Sequence, residues 1–197
     1  MGIEYEVKFQ ADAQALSAIG SAYSQYPCQQ FQMETTYYDT PTGALSARHY
    51  TLRRRMENDQ SICTLKTPAA GIGRKELEIA CDDIFQAARQ FCQLEAPEDF
   101  PELIQAGLIP VCGAKFSRTA ITVALEDSVV ELALDTGILT GGSQTQPLCE
   151  VEVELKSGAK ETADLFAAIL ANQYGLAREH KSKFCRANAL YQQGGSV

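Results

Sequence analysis

Apolar and charged residues alternate without a break through Ile3-Glu4-Tyr5-Glu6-Val7-Lys8-Phe9. A period of two predicts a β-strand with Ile3, Tyr5, Val7 and Phe9 on one face and Glu4, Glu6 and Lys8 on the other. Residues 11–25 switch to helical spacing, with Leu16, Ile19 and Tyr23 on the apolar side. Strands are predicted at 32–39, closed by the turn Thr40-Pro41-Thr42-Gly43, and at 50–56, 61–67 and 74–80. Asp82-Asp83 is a fitting N-cap for a helix reaching about residue 94, and 98–106 reads as a shorter one ended by Gly107. Strands at 115–125, 128–134 and 148–156 follow, with Asp127 in the tight turn between the first two and a loop at Gly141-Gly142-Ser143. Helices at 161–174, stopped near Gly175, and 182–191 close the chain. Strands, helices, strands and helices in that order predict an α+β protein, an antiparallel sheet or barrel with helices packed outside.

Period two, applied to each strand, sorts the charges. "TLRRRM" puts Arg53 and Arg55 on one face and Arg54 on the other. "SICTLKT" puts Thr64 and Lys66 opposite Cys63 and Leu65. "RKELEIA" puts Arg74, Glu76 and Glu78 opposite Leu77 and Ile79. "CEVEVELK" puts Glu150, Glu152 and Glu154 opposite Val151, Val153 and Leu155. Glu131 and Asp135 share one parity, and Arg118 opens the preceding strand. One such strand is ordinarily a solvated face. Three glutamates on one strand face are harder to place in water, because like charges two residues apart repel and Glu has poor strand propensity. A closed barrel with a polar interior accounts for the whole set, since inward charges need partners. Acidic and basic rows would face each other, or hold a ligand bearing both signs. A triphosphate with divalent cations is one: Arg and Lys take phosphate oxygens, and carboxylates take Mg²⁺ or Mn²⁺.

Bulk properties narrow this picture. At 197 residues one domain spanning 1–197 is expected, large enough to bury a real core. A net charge of -8 argues against sequence-independent nucleic-acid binding. Seven widely spaced cysteines and two histidines argue against zinc and for thiols in a reducing cytoplasm. No basic-then-apolar leader and no apolar run of membrane length occurs, so no membrane partner is expected.

The same residues resemble the CYTH domain, or triphosphate tunnel metalloenzyme, family. "IEYEVKF" is similar to its ExExK signature and "TTYYDTPTGALSARHYTLRRR" to its Y-x-D-T … L-R-x-R segment. "TLK" with "GIGRKELEI", "KFSRTAITVALEDSVVELALDTG", "PLCEVEVELKSG" and "HKSKFCRA" follow in the family's order, from residue 3 to 186. The likeness is greatest to the catalytic domain of bacterial inorganic triphosphatases, without the helical CHAD domain that some of those carry. The resemblance implies a closed antiparallel eight-stranded β-barrel forming a tunnel, with a charged lumen and helices outside. It implies that Glu4, Glu6, Glu78 and one or more of Glu150, Glu152 and Glu154 bind Mg²⁺ or Mn²⁺. It implies that Lys8, Arg53, Arg55, Lys66, Arg74, Arg118, Lys183 and Arg186 hold a triphosphate. Glu76 or Glu78, with Asp135, would position water or a second metal. Lys181 competes with Lys183, and the Ser-Lys context favours Lys183. Metal-dependent hydrolysis of inorganic triphosphate is the leading expectation, in a monomer or homodimer. Cyclisation of ATP, hydrolysis of thiamine triphosphate and non-catalytic polyphosphate binding are the alternatives. The absence of Trp, and aromatic residues expected on faces opposite the charges, favour the small inorganic substrate.

Overall fold

A computed structural model describes residues 5–69 and 74–194. Ile3 and Glu4, a proposed metal ligand, lie outside the described residues. The strands are β1 (Glu6–Gln10), β2 (Cys28–Asp39), β3 (Thr51–Glu57), β4 (Gln60–Pro68), β5 (Arg74–Ala80), β6 (Ile109–Ala124), β7 (Val129–Gly141), β8 (Gln144–Ser157) and β9 (Ala177–Arg178). The helices are α1 (Ala13–Ala22), α2 (Ile84–Gln93), α3 (Phe100–Gln105), α4 (Lys160–Tyr174) and α5 (Lys183–Gly194). Asp12 caps α1 by accepting from Ala15 N, and Asp83 caps α2 by accepting from Phe85 N and Gln86 N. Gly175, in the left-handed region at φ 64°, ends α4.

The expected closed eight-stranded barrel is not what forms. Nine strands make one antiparallel sheet in the order β5-β4-β3-β2-β6-β7-β8-β1-β9, and the described residues show no ladder from β5 across to β9 or β1. The short β9, not β5, pairs with the outer edge of β1, at Phe9 and Gln10. The sheet curls instead, helped by register shifts at Tyr37/Tyr38 and Val129/Val130. One concave face still results, with residues of β1 through β8 around one cavity.

The convex face is apolar where helices cover it. Val7, Phe9, Ile121, Leu132, Val151 and Val153 pack against Leu16 and Ile19 of α1 and Phe166 and Leu170 of α4. Leu52, Cys63, Leu65 and Leu77 pack against Ile84, Ala88 and Phe91 of α2 and Phe100 of α3. Helix α5 lies on the concave side. Its Phe184 and Ala187 join Met33, Tyr37, Phe116, Leu139 and Leu148. Gly141 permits this seat: a Cβ there would stand 2.3 Å from the Ala187 carbonyl and 2.4 Å from Tyr191 N.

Candidate functional site

The concave face encloses a cavity of about 580 Å³. Alternation places every inward strand residue. The ladders register Glu6 against Glu154 and Lys8 against Glu152. They register Glu131 against Glu154 and Asp135 against Glu150. On the other flank, Lys66 lies opposite Glu76 and Thr64 opposite Glu78. Eight of the chain's 17 Lys and Arg residues line this cavity, beside seven glutamates. In a chain of net charge -8, the described lining is therefore far richer in basic residues than the protein as a whole, and its two signs nearly balance.

The β3–β5 flank is the basic one. Lys66 Nζ lies 3.2 Å from Glu76, and Arg53 Nη2 is 3.5 Å from the other oxygen of the same carboxylate. Thr64 donates to Glu78 at 3.1 Å. Arg55 pairs with Glu57. Burial, then the neighbouring Arg53 guanidinium, pulls the Arg55 pKa down, so an anion would relieve both. Arg74 reaches the lining from β5, its Nη2 donating to the His49 carbonyl, Thr51 Oγ1 and the Lys66 carbonyl.

The opposite flank, β1 with β6 to β8 and α5, is a dense ion network. Arg118 grips Asp135 through two bonds of 2.8 and 2.7 Å and also donates to Glu152. Lys183 stands 2.8 Å from Asp135, 2.8 Å from Glu152 and 3.2 Å from Glu150. Burial by itself would depress the Lys183 ammonium, but Glu152, Asp135 and Glu150 outweigh it and hold the pKa well above the lysine value. Burial by itself would raise Glu152, yet Lys183, Arg118 and Lys8 drive it well below the carboxylate range. Glu150 goes the other way: burial, reinforced by Glu152, raises it against the pull of Lys183 and Arg186. Burial opposes the Lys8 charge too, but Glu6 and Glu152 raise its pKa.

This geometry sorts the sequence-predicted residues into two layers. Glu6, Lys8, Arg53, Arg55, Lys66, Arg74, Glu76, Glu78, Arg118, Glu152, Glu154 and Lys183 all line the cavity. Asp135 and Glu150, both 0% exposed, lie behind the lining as the counter-charges of Arg118, Lys183 and Arg186. Arg186 is held there between Glu150 and Glu179. Lys183 enters the cavity while Lys181 is exposed, its backbone N–H capping the Glu179 carboxylate.

Sequence reading missed three lining charges. Glu57 shares the parity of Arg53 and Arg55 and was lost because the strand was ended at residue 56, while Lys156, the last residue of its predicted strand and on the parity of Glu150, Glu152 and Glu154, was assigned no role. Glu131 was seen on the right parity but not assigned a role. The aromatic expectation is also corrected: Phe31, Tyr37, Phe116 and Phe184 line the cavity among the charges. Phe116 lies under both Lys183 Nζ, at 5.2 Å, and the Arg118 guanidinium, at 5.8 Å.

The donors for a divalent cation are hard carboxylate oxygens, which suits Mg²⁺ or Mn²⁺. Glu6, Glu154 and Glu131 stand side by side on three adjacent strands, each about a quarter exposed at the side chain. Lys8 now balances Glu6, and Lys156 balances Glu154 and Glu131. Among the described residues, no three His, Cys, Asp or Glu converge into a closed cage.

The chain is similar to known proteins. The family model of the CYTH domain matches residues 2–187. An inorganic triphosphatase from Haemophilus influenzae is 33% identical over 135 residues, which are 66% of this chain and 37% of that protein. The chain thus matches just over a third of that relative's length. A candidate adenylyl cyclase from Hippeastrum, described as having a dominant triphosphatase activity, superposes with a TM-score of 0.66 at 19% identity, covering 100% of this chain and 98% of that one. A protein from Pyrococcus horikoshii superposes with a TM-score of 0.61, also at 19% identity, over 93% of this chain and 97% of its own. At such identities the structural likeness speaks for the fold alone, but the family match spans nearly the whole sequence, and the chain belongs to the CYTH domain family.

Proposed function

We propose that the protein hydrolyses a triphosphate with the aid of a divalent cation, releasing phosphate and pyrophosphate from inorganic triphosphate. One observation carries the reading: eight basic side chains and seven carboxylates of an acidic protein meet around one cavity of about 580 Å³. A pure anion binder has no use for the carboxylate row, and a metal store has no use for the basic one. The Haemophilus influenzae relative, an inorganic triphosphatase, supports the same chemistry.

Arg53, Arg55, Lys66 and Arg74 hold the phosphate chain from the β3–β5 flank. Lys8, Arg118 and Lys183 hold it from the other. Glu6, Glu154 and Glu131 form the cation side, with Glu4 as a further ligand by its place in the motif. A bound cation would polarise phosphate oxygens and lower the pKa of a coordinated water. Glu76 keeps Lys66 and Arg53 in position, and the more exposed Glu78 orients the attacking water. Water oxygen bonds to the terminal phosphorus as the bridging P–O bond breaks, pyrophosphate leaves, and a carboxylate takes the proton. The lining charges cost no reorganisation at that moment, because their partners already fix them.

The four aromatic residues give a second reading a footing, in which the cavity takes an organic triphosphate with its ring against Phe31 or Phe116. A phosphate-release panel of inorganic triphosphate, ATP and thiamine triphosphate, each with Mg²⁺ and Mn²⁺, separates the readings. Turnover of inorganic triphosphate well above the others supports the first. Preference for an organic triphosphate supports the second, and cyclic AMP from ATP replaces hydrolysis with cyclisation.

A further inference from the structure

The segment Tyr38-Asp39-Thr40-Pro41 carries no charge into the cavity, yet Asp39 is 3% and Thr40 1% exposed. A buried carboxylate needs compensation. Asp39 finds it in three backbone N–H groups: Oδ1 accepts from Thr40 N at 2.7 Å and Leu45 N at 2.8 Å, and Oδ2 accepts from Ser46 N at 3.0 Å. Thr40 Oγ1 accepts from Ala44 N at 2.8 Å. These bonds tie the end of β2 to the 3-10 turn Ser46–Arg48.

The tie continues toward the cavity. The buried Leu45 gives its N–H to Asp39 and its carbonyl to Tyr50 N, at 2.9 Å. Between them, His49 N donates to the Ser46 carbonyl, and His49 sits in the left-handed region at φ 59°. The His49 carbonyl and Thr51 Oγ1 then accept from the Arg74 Nη2. Arg74 and Thr51 line the cavity. Asp99, just before α3, pairs with Arg48 and accepts from the Tyr50 hydroxyl, steadying the same segment from outside.

We infer that Asp39, with Thr40, is a positioning residue: it fixes residues 40–51 so that the His49 carbonyl and the Thr51 hydroxyl aim the Arg74 guanidinium at the phosphates. The inference rests on the proposed triphosphate site. Asp39 touches no substrate. It acts through main-chain geometry, because a guanidinium whose Nη2 is held against fixed acceptors is pre-organised for the phosphate oxygens it faces.

The test is a double-mutant cycle of Asp39→Asn and Arg74→Ala, read by KM and kcat for inorganic triphosphate and by calorimetric binding of that compound without turnover. Asp39→Asn should raise KM and the dissociation constant roughly tenfold, the worth of one charge-assisted hydrogen bond, with kcat within about twofold. The double variant should be no worse than Arg74→Ala alone. Thr40→Val, a milder change in the same tie, should move KM in the same direction by less, and it serves if Asp39→Asn does not fold. Additive effects, or Asp39→Asn and Thr40→Val lowering only thermal stability, would overturn the inference and leave the triphosphatase reading standing. A wild-type protein that neither binds nor hydrolyses triphosphate would overturn both.

Discussion

Replacing Lys183 by Met keeps the length of the side chain and removes its charge. The ammonium stands within 3.2 Å of three carboxylates, and two of them, Asp135 and Glu150, are fully buried. Arg118 and Arg186 remain, but Arg118 is already committed to Asp135 and Glu152, and Arg186 to Glu150 and Glu179. Breaking a buried ion cluster by removing one partner costs ~3–5 kcal/mol. With a urea slope of about 2 kcal/mol per molar, the unfolding midpoint falls by roughly 1.5–2.5 M at pH 7. The pH dependence has a definite sign. In the wild type Glu152 is depressed, so its contribution is present above the unfolded carboxylate pKa and is lost as pH falls below it. Without Lys183, burial acts on Glu150 and Glu152 with one less cation to oppose it and moves both upward, so the variant's folded state binds protons more readily than that of the wild type. The deficit is therefore largest at pH 7 and shrinks toward pH 5. Urea titrations followed by circular dichroism at both pH values test this. A deficit under about 1 kcal/mol, or one equal at pH 7 and pH 5, would show that the network does not depend on Lys183 as argued.

Other substitutions separate chemistry from scaffold. Glu6→Gln should abolish metal-dependent phosphate release while changing stability by less than about 1 kcal/mol, because its partly exposed pair with Lys8 adds little. Gly141→Ala drives a Cβ to 2.3 Å from the Ala187 carbonyl. It should unseat α5, withdraw Lys183 and lower both melting temperature and activity, whereas Gly142→Asn, where a Cβ meets nothing within 4 Å and φ is 57°, should be nearly neutral. Phe91→Ala, emptying a fully buried site under α2, should cost ~3–5 kcal/mol in urea titration and leave KM unchanged in the folded fraction. Chelation with EDTA should stop phosphate release with little change in melting temperature, since no described carboxylate cage depends on metal for its fold, and added Mg²⁺ or Mn²⁺ should restore turnover.

Strand parity was the legible part of this sequence, because the pleat gives each side chain one face whatever the rest of the chain does. It placed Glu6, Lys8, Arg53, Arg55, Lys66, Glu76 and Glu154 on the cavity side before any packing was known. It failed on β2. Phe31, Met33 and Tyr37 share a parity, and the rule that apolar faces point outward under helices would have turned them away from the charges. The outer face of β2 instead carries the exposed Gln30, Gln32 and Glu34, so here the apolar row is the inner one. β6 starts at Ile109, six residues before the predicted strand, and its first residues include Pro110 and Gly113, which are poor strand formers. The register shift at Tyr37/Tyr38 beside Pro110 accommodates the proline, and a side chain at Gly113 would meet the Thr35 carbonyl at 2.9 Å. The two-residue β9 has no pattern to read. Closure was not legible either, because it depends on edge pairing summed over the whole sheet. The charge pattern requires an inner face, and a curled open sheet supplies one. Depth behind the lining was equally hidden: Glu150, Glu152 and Glu154 share a parity, yet only Glu152 and Glu154 reach the cavity.

Phosphate release from inorganic triphosphate, measured with Mg²⁺ and with Mn²⁺ for the wild type and for Glu6→Gln, tests the central claim most directly. The account predicts turnover that requires the cation and is lost in Glu6→Gln, with the variant's melting curve close to that of the wild type. Cation-independent turnover, or full turnover in Glu6→Gln, would contradict it.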